Sequence, residues 1–250
     1  MFINVIIPLA GKGSRFKKKF HKPKPLIKIN KKTLIEIAIE TLNLKRANFF
    51  FVTKKYNNKK YNDELLNILL KYTKKNRIIQ LKKNTSGSVS SCLKIKKINK
   101  NLPLIIANCD QYLNWQPKLF FKFVKSNKAD GAVLTYKSRD KKNSFVVIKK
   151  GKIVGVAEKK VISNNALIGV HYWRKTQYFF ETGKQLVKDI KQTQKKSESF
   201  VSETYKYMLI KKKIILPFSL KKKEFFLIGT PSDYNKFNKF IKNYDKSYPL

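Results

Sequence analysis

A chain of 250 residues with 42% hydrophobic content can bury a substantial core, which excludes disorder as the default state. Lysine and arginine number 57 against 15 acidic residues, and the resulting formal charge of +42 ordinarily points to nucleic acid or an anionic surface. Here only Arg15, Arg46, Arg77, Arg139 and Arg174 are arginines, and the lysines are spread along the whole chain beside abundant Ile, Asn, Phe and Tyr, as A- and T-rich codons favour, so no specific nucleic-acid partner is expected, only salt-sensitive adhesion to polyanions.

The first apolar run, Val5 to Ile7, reads as a buried strand; it is too short for a signal peptide and lacks a basic leader. It leads into a turn in which Gly11 and Gly13 let the backbone bring N–H groups against an anion. Arg15 then supplies a forked guanidinium and Lys24 a point charge on a long stem. The dinucleotide fingerprint GxGxxG fails at Phe16, and a P-loop fails because no Gly-Lys-Ser/Thr follows Gly11 at the required spacing.

Thr33 to Leu44 carries Leu34, Ile35, Ala38, Ile39 and Leu42 at helical spacing, with Thr33 as N-cap and Glu36 completing a capping box. Asn48 to Thr53 reads as a strand, Asp63 to Tyr72 as a helix, Arg77 to Leu81 as a strand and Ser90 to Ile98 as a helix. Pro103 to Asn108 is an apolar central strand ending at Asp110, where open α/β sheets place ligands. A helix from Pro117 to Ser126 precedes strand-like runs at Ala132 to Lys137, Phe145 to Lys149, Ile153 to Glu158 and Ala166 to Trp173, with Lys150-Gly151 as a hairpin turn. Helices near Thr176 to Gln192 and Ser202 to Lys212, a strand at Ile214 to Phe218 and a helix from Ser232 to Asn243 complete the pattern.

The alternation predicts an α/β fold, a Rossmann-like αβα sandwich around a mixed, mostly parallel central sheet. No linker divides the chain, so residues 1–250 are read as one domain with a nucleotide-binding half over about 1–115 and an acceptor-binding half over about 116–250. Cys92 and Cys109 form no CxxC pair and suggest neither zinc nor a disulfide, consistent with a reducing cytoplasm. No apolar run approaches the roughly 18 residues that a membrane helix needs, and no membrane insertion is expected. The oligomeric state stays open, a homo-oligomer included.

Three stretches carry chemistry. The segment LAGKGSRF followed by PKPL resembles the sugar-phosphate nucleotidyltransferases, the nucleoside-diphosphate-sugar pyrophosphorylases and their cytidylyltransferase relatives. Asn108-Cys109-Asp110-Gln111, at the end of the central strand, offers Asp110 as an oxygen ligand for a hard divalent cation, although an isolated aspartate there would more often form a turn. The family holds a magnesium-binding aspartate at this place, and ANCDQYLNW is similar to its cytidylyltransferase-like branch. Thr85 to Ser91 is a small-residue loop entering a helix, read from its residues as either a close approach to a flat base or a plain helix N-cap.

The resemblance implies residue roles throughout. Leu9, Ala10, Gly11, Gly13, Ser14 and Gly87 bind the nucleotide; Arg15, Lys24 and Asp110 are catalytic, with Asp110 also the Mg²⁺ ligand; Glu158, Lys159 and Gly169 meet the acceptor. FLIGTPSD, Phe226 to Asp233, resembles the family's GTPxD element, but Leu227 stands where many members carry a second metal-binding aspartate, leaving Glu203 and Asp233 as candidates by elimination. Asp233 reads as a stabiliser of the helix N-terminus. His171 and His21 receive no catalytic role. The implied activity is transfer of a nucleoside monophosphate from an NTP to a sugar 1-phosphate with Mg²⁺ and release of pyrophosphate, usually for surface-polysaccharide precursors. Three alternatives stay open: a cytidylyltransferase for a phosphorylated non-sugar compound, a glycosyltransferase of similar architecture, and a non-catalytic basic binding protein.

Overall fold

The computed structural model describes residues 2–193 and 197–244. Strand β1 (Ile3–Pro8) is buried on both faces, with Val5 and Ile7 in one apolar cluster and Ile6 in the other, as a central strand must be. A short helix α1 (Ser14–Lys17) follows the glycine turn, and a small hairpin of β2 (Lys28–Ile29) and β3 (Lys32–Thr33) leads into α2 (Leu34–Thr41). The capping box is present: Glu36 N–H donates to Thr33 Oγ1 at 3.4 Å and Thr33 N–H to Glu36 Oε2 at 3.0 Å.

The chain continues through β4 (Ala47–Lys54), α3 (Lys59–Leu70), β5 (Ile78–Leu81), α4 (Ser88–Cys92), β6 (Leu104–Ala107), β7 (Gln111–Leu113) and α5 (Pro117–Ser126). Its second half contributes β8 (Gly131–Lys137), β9 (Phe145–Lys149), β10 (Lys152–Ala157), β11 (Asn165–Trp173), α6 (Thr176–Gln192), α7 (Thr204–Ile210), β12 (Ile215–Ser219), β13 (Phe225–Leu227) and α8 (Pro231–Tyr244). The central sheet runs β10-β9-β11-β6-β1-β4-β5, with β8 beside β11 and β12 beside β8. Strands β6, β1, β4 and β5 are parallel, whereas β11 joins β6 antiparallel, giving the mixed α/β sheet expected. Lys150 (φ 46°) and Gly151 (φ 73°) make the predicted hairpin turn with both central residues left-handed.

Two elements depart from expectation. The helix predicted over Ser90 to Ile98 spans only Ser88–Cys92. Beyond it the carbonyls of Lys100 and Leu102 accept from Gln177 N–H at 3.0 Å and Thr176 N–H at 2.7 Å, so this stretch is pinned to the start of α6, while Ile95 and Ile98 still bury. The second is a separate two-stranded sheet, β7 with β13, which pairs Gln111 with Leu227 and brings the C-terminal element against Asp110. No helix among the described residues is long and apolar enough to cross a membrane.

Candidate active site

The parallel strands β1, β5 and β6 end on one edge of the sheet, and the segments that follow them surround a cavity of about 420 Å³. Its walls include Leu9 through Phe16, Lys24, Thr85, Gly87, Ser88, Ser91, Asn108 through Asp110, Glu198, Phe200 and Gly229. This is the crevice beyond the carboxyl ends of the strands that binds ligands in open α/β sheets.

The glycine turn is fixed from below by Leu9 N–H donating to Val52 O at 2.6 Å. Gly13 is left-handed (φ 62°), which turns the chain into α1, and Phe16 N–H donates back to Gly13 O at 3.0 Å. A Cβ at Gly11 would meet no protein atom within 4 Å, so protein packing does not demand glycine there. Lys54, at the end of β4, donates to Gly11 O at 3.1 Å and braces the turn from outside. Burial first, then Lys17 and Lys12, lower its pKa. Sequence reading missed Lys54; only the β1–β4 register, Pro8 beside Val52, places it next to the turn.

Two of the predicted catalytic residues meet directly. Lys24 Nζ forms an ion pair with Asp110 Oδ2 and lies 4.6 Å from the centre of the buried Phe16 ring, so a cation is held against a carboxylate and an aromatic face. The third, Arg15, is exposed on the cavity wall, with no hydrogen-bond or ion-pair partner among the described residues. Asp110 is held by its main chain: its carbonyl accepts from Ile228 N–H at 2.7 Å, beside the Gln111–Leu227 pair. Cys109, on the same wall, has its thiol pushed up to about 12 by burial first and the charge of Asp110 second.

The predicted acceptor residues stand behind the wall. Asn108 N–H donates to Gly169 O at 2.8 Å, and the Asn108 side chain fills the space that a Cβ on Gly169 would occupy, its Nδ2 lying 2.2 Å from that point. Gly169 is therefore explained by packing under Asn108. Glu158 accepts from Ser144 Oγ and from Ser202 Oγ, the latter at 2.8 Å. Lys159 is left-handed (φ 51°), a conformation that costs a non-glycine residue on the order of 1 kcal/mol, and its Nζ sits 4.3 Å from the centre of the Phe200 ring. Phe200 and Asn108, which line the cavity, connect Lys159 and Gly169 to it, whereas the partners of Glu158, Ser144 and Ser202, do not line it.

Thr85 to Ser91 forms the opposite wall, closed by a Thr85 Oγ1–Ser91 Oγ bond at 2.6 Å. Gly87 has φ 128°, and a Cβ there would lie 2.4 Å from Ser199 N, which gives this glycine a steric reason beyond any ligand. Of the eliminated carboxylates, Asp233 Oδ2 accepts from Thr230 Oγ1 at 2.7 Å at the start of α8, and Glu203 pairs with Lys206 at 2.9 Å; neither lines the cavity. Glu198 does, and no local signal in its sequence marked it. His171 is buried beside the stacked rings of Trp173 and Tyr205, and burial lowers its pKa to about 4, so it is a neutral core residue with no acid–base role at neutral pH.

No group of three or more His, Cys, Asp or Glu side chains among the described residues could hold a metal by itself. Asp110 nevertheless fits Mg²⁺: it offers a hard oxygen donor already facing a positive charge, and Mg²⁺ commonly takes one or two carboxylates with the rest of its shell from substrate phosphates and water.

A glycine turn, converging cations and one carboxylate at the strand ends define a phosphate-handling α/β enzyme. The chain belongs to the nucleotidyl transferase family, whose profile matches residues 4–244. It is similar in structure to a nucleoside-diphosphate-sugar pyrophosphorylase from Vibrio cholerae (TM-score 0.79, 19% identity, covering 94% of this chain and 99% of that one). It is also similar to the inositol-1-phosphate CTP transferase of T. maritima (TM-score 0.71, 15% identity, 100% and 98%). A third similar structure is the CTP:phosphocholine cytidylyltransferase of Streptococcus pneumoniae (TM-score 0.69, 19% identity, 96% and 100%). A comparison with curated proteins found no match.

Proposed function

We propose that this nucleotidyltransferase moves a nucleoside monophosphate from an NTP to a phosphomonoester, a sugar 1-phosphate, and releases pyrophosphate. The observation that carries the reading is the convergence on one cavity of the unpartnered Arg15, the Lys24–Asp110 pair and the open space before Gly11. A phosphate oxygen of the acceptor attacks the α-phosphorus; the bond from that phosphorus to the oxygen bridging to the β-phosphate breaks, and its electrons leave on pyrophosphate. The acceptor oxygen is already anionic, so no protein nucleophile and no general base is needed, and catalysis consists of positioning and charge neutralisation.

In this reading the Gly11 to Ser14 amides and Arg15 hold the triphosphate, with Leu9, Ala10 and Gly87 around the nucleoside. Lys24 transfers its charge from Asp110 to the phosphates as substrate enters. Lys159 receives the acceptor phosphate and Glu158 its hydroxyls, the Gly169–Asn108 contact shaping that wall. Asp110 would hold Mg²⁺, which when bound neutralises triphosphate charge. The two halves, about 1–115 and 116–250, then divide nucleotide from acceptor, and a cytoplasmic setting supplies both.

A second reading, a cytidylyltransferase for a phosphorylated non-sugar compound, is favoured by Leu227 beside the Gln111 backbone, where many relatives place a second acidic ligand. The similarity to the T. maritima inositol-1-phosphate CTP transferase and the Streptococcus pneumoniae CTP:phosphocholine cytidylyltransferase is in keeping with it. Pyrophosphate release across five NTPs, each against sugar 1-phosphates and phosphorylated alcohols, separates the two. Acceptor-dependent release with one class of phosphomonoester selects the reading, and silence from protein that binds no NTP overturns both.

A further inference from the structure

Ser199 is fully buried although both of its neighbours, Glu198 and Phe200, line the cavity. Its N–H donates to Ser86 O at 2.6 Å, and its carbonyl accepts from Val89 N–H at 3.0 Å and Ser88 Oγ at 3.3 Å. Its hydroxyl donates to Ser86 O at 3.1 Å, accepts from Ser90 N–H at 3.2 Å and lies 3.0 Å from Ser90 Oγ. Every one of these partners belongs to the Thr85 to Ser91 loop, and the missing side chain of Gly87 is what lets the Ser199 backbone approach it.

The same stretch reaches the acceptor pair at its other end. Phe200 carries the Lys159 ammonium on its ring, and Ser202, itself buried, donates to Glu158 at 2.8 Å. Val201 is buried between them, which ties the segment to the core and leaves it little freedom to absorb movement at one end without passing it to the other.

We infer that Ser199 to Ser202 is a coupling element: a nucleotide settling on the Thr85 to Ser91 loop positions Phe200 and Ser202, and through them Lys159 and Glu158, with Ser199 as the positioning residue. The inference rests on the proposed nucleotidyl transfer. Coupling of this kind is reciprocal, so an acceptor also tightens nucleotide binding.

The test is hydrogen exchange of the full chain read by mass spectrometry, with and without Mg²⁺ and a mixture of ATP, CTP, GTP, UTP and dTTP. It is run on the wild type, on Ser199→Ala, which removes the hydroxyl and keeps the backbone bonds, and on Ser90→Ala should the first variant fail to fold. In the wild type, exchange slows about threefold or more both at 85–91 and at 200–203. In the variants the slowing persists at 85–91 and is lost at 200–203, a difference between liganded and free protein that a merely structural role would not produce. Protection confined to 85–91 in the wild type overturns the coupling and leaves the nucleotide site standing. Equal protection of both segments in the variants overturns the role of Ser199. No protection of either segment in the wild type overturns the nucleotide site, and the coupling with it.

Discussion

Replacing Lys24 by Met separates the two things this residue does, because the substitution removes the charge and keeps most of the stem. In the free protein it strands the Asp110 carboxylate, whose side chain is only 23% exposed, without its ion-pair partner. Leaving such a group unpaired costs about 1–3 kcal/mol, and at about 2–4 °C per kcal/mol for a chain of this size Tm falls by several degrees. During the reaction the same ammonium faces developing phosphate charge, where one aligned donor is worth about 10²–10³ in turnover. The double variant Lys24→Met/Asp110→Asn removes both charges together, so it recovers most of the lost Tm and none of the lost turnover. Thermal unfolding and pyrophosphate release on the three proteins decide the matter. Turnover of Lys24→Met within about twofold of wild type refutes the catalytic role, and a double variant no more stable than Lys24→Met refutes the pairing with Asp110.

His171 is neutral in the fold, lowered to about 4 by burial from an ordinary 6.5, so its contribution to stability is full above pH 6.5 and is lost as pH falls toward 4. That loss amounts to about 3 kcal/mol, and His171→Phe flattens the corresponding stretch of a Tm-against-pH profile; an unchanged profile refutes it. Cys109, its thiol pushed up to about 12 by burial and then by Asp110, reacts slowly with iodoacetamide at neutral pH and faster in Asp110→Asn, as counted by mass spectrometry. Gly169→Ala forces a Cβ into the Asn108 side chain and costs about 1–3 kcal/mol of stability in denaturant unfolding, together with activity.

What the sequence made legible was local or carried by a compact motif. The capping box at Thr33 and Glu36 lies within four residues, and the strand-to-glycine turn from Val5 to Gly13 declares itself through hydrophobicity followed by glycine. The approach of Lys24 to Asp110 was foreshadowed only in that each was assigned to phosphate or metal, and the ion pair spans 86 positions in the chain. Features set by pairing of distant segments were not readable. Strands β7 and β13 have three residues each, too few for a periodicity, and form because they meet. Lys54 and Ser199 are ordinary polar residues locally; one acquires meaning from strand register, the other from a loop 113 residues away. The truncated α4 shows the reverse: its apolar spacing continues to Ile98, and Ile95 and Ile98 are buried as that spacing requires, yet the backbone leaves the helix after Cys92.

In the proposed reaction the α-phosphoryl group moves with its nucleoside to the acceptor phosphate. Incubating the enzyme with Mg²⁺, acceptor and NTP labelled at either the α- or the γ-phosphate tests this in one chromatogram. Nucleotidyl transfer puts the α-label in the acceptor product and the γ-label in pyrophosphate, both lost in Arg15→Ala. Label from the γ-position in the acceptor product, or α-label recovered only as free nucleoside monophosphate, contradicts it.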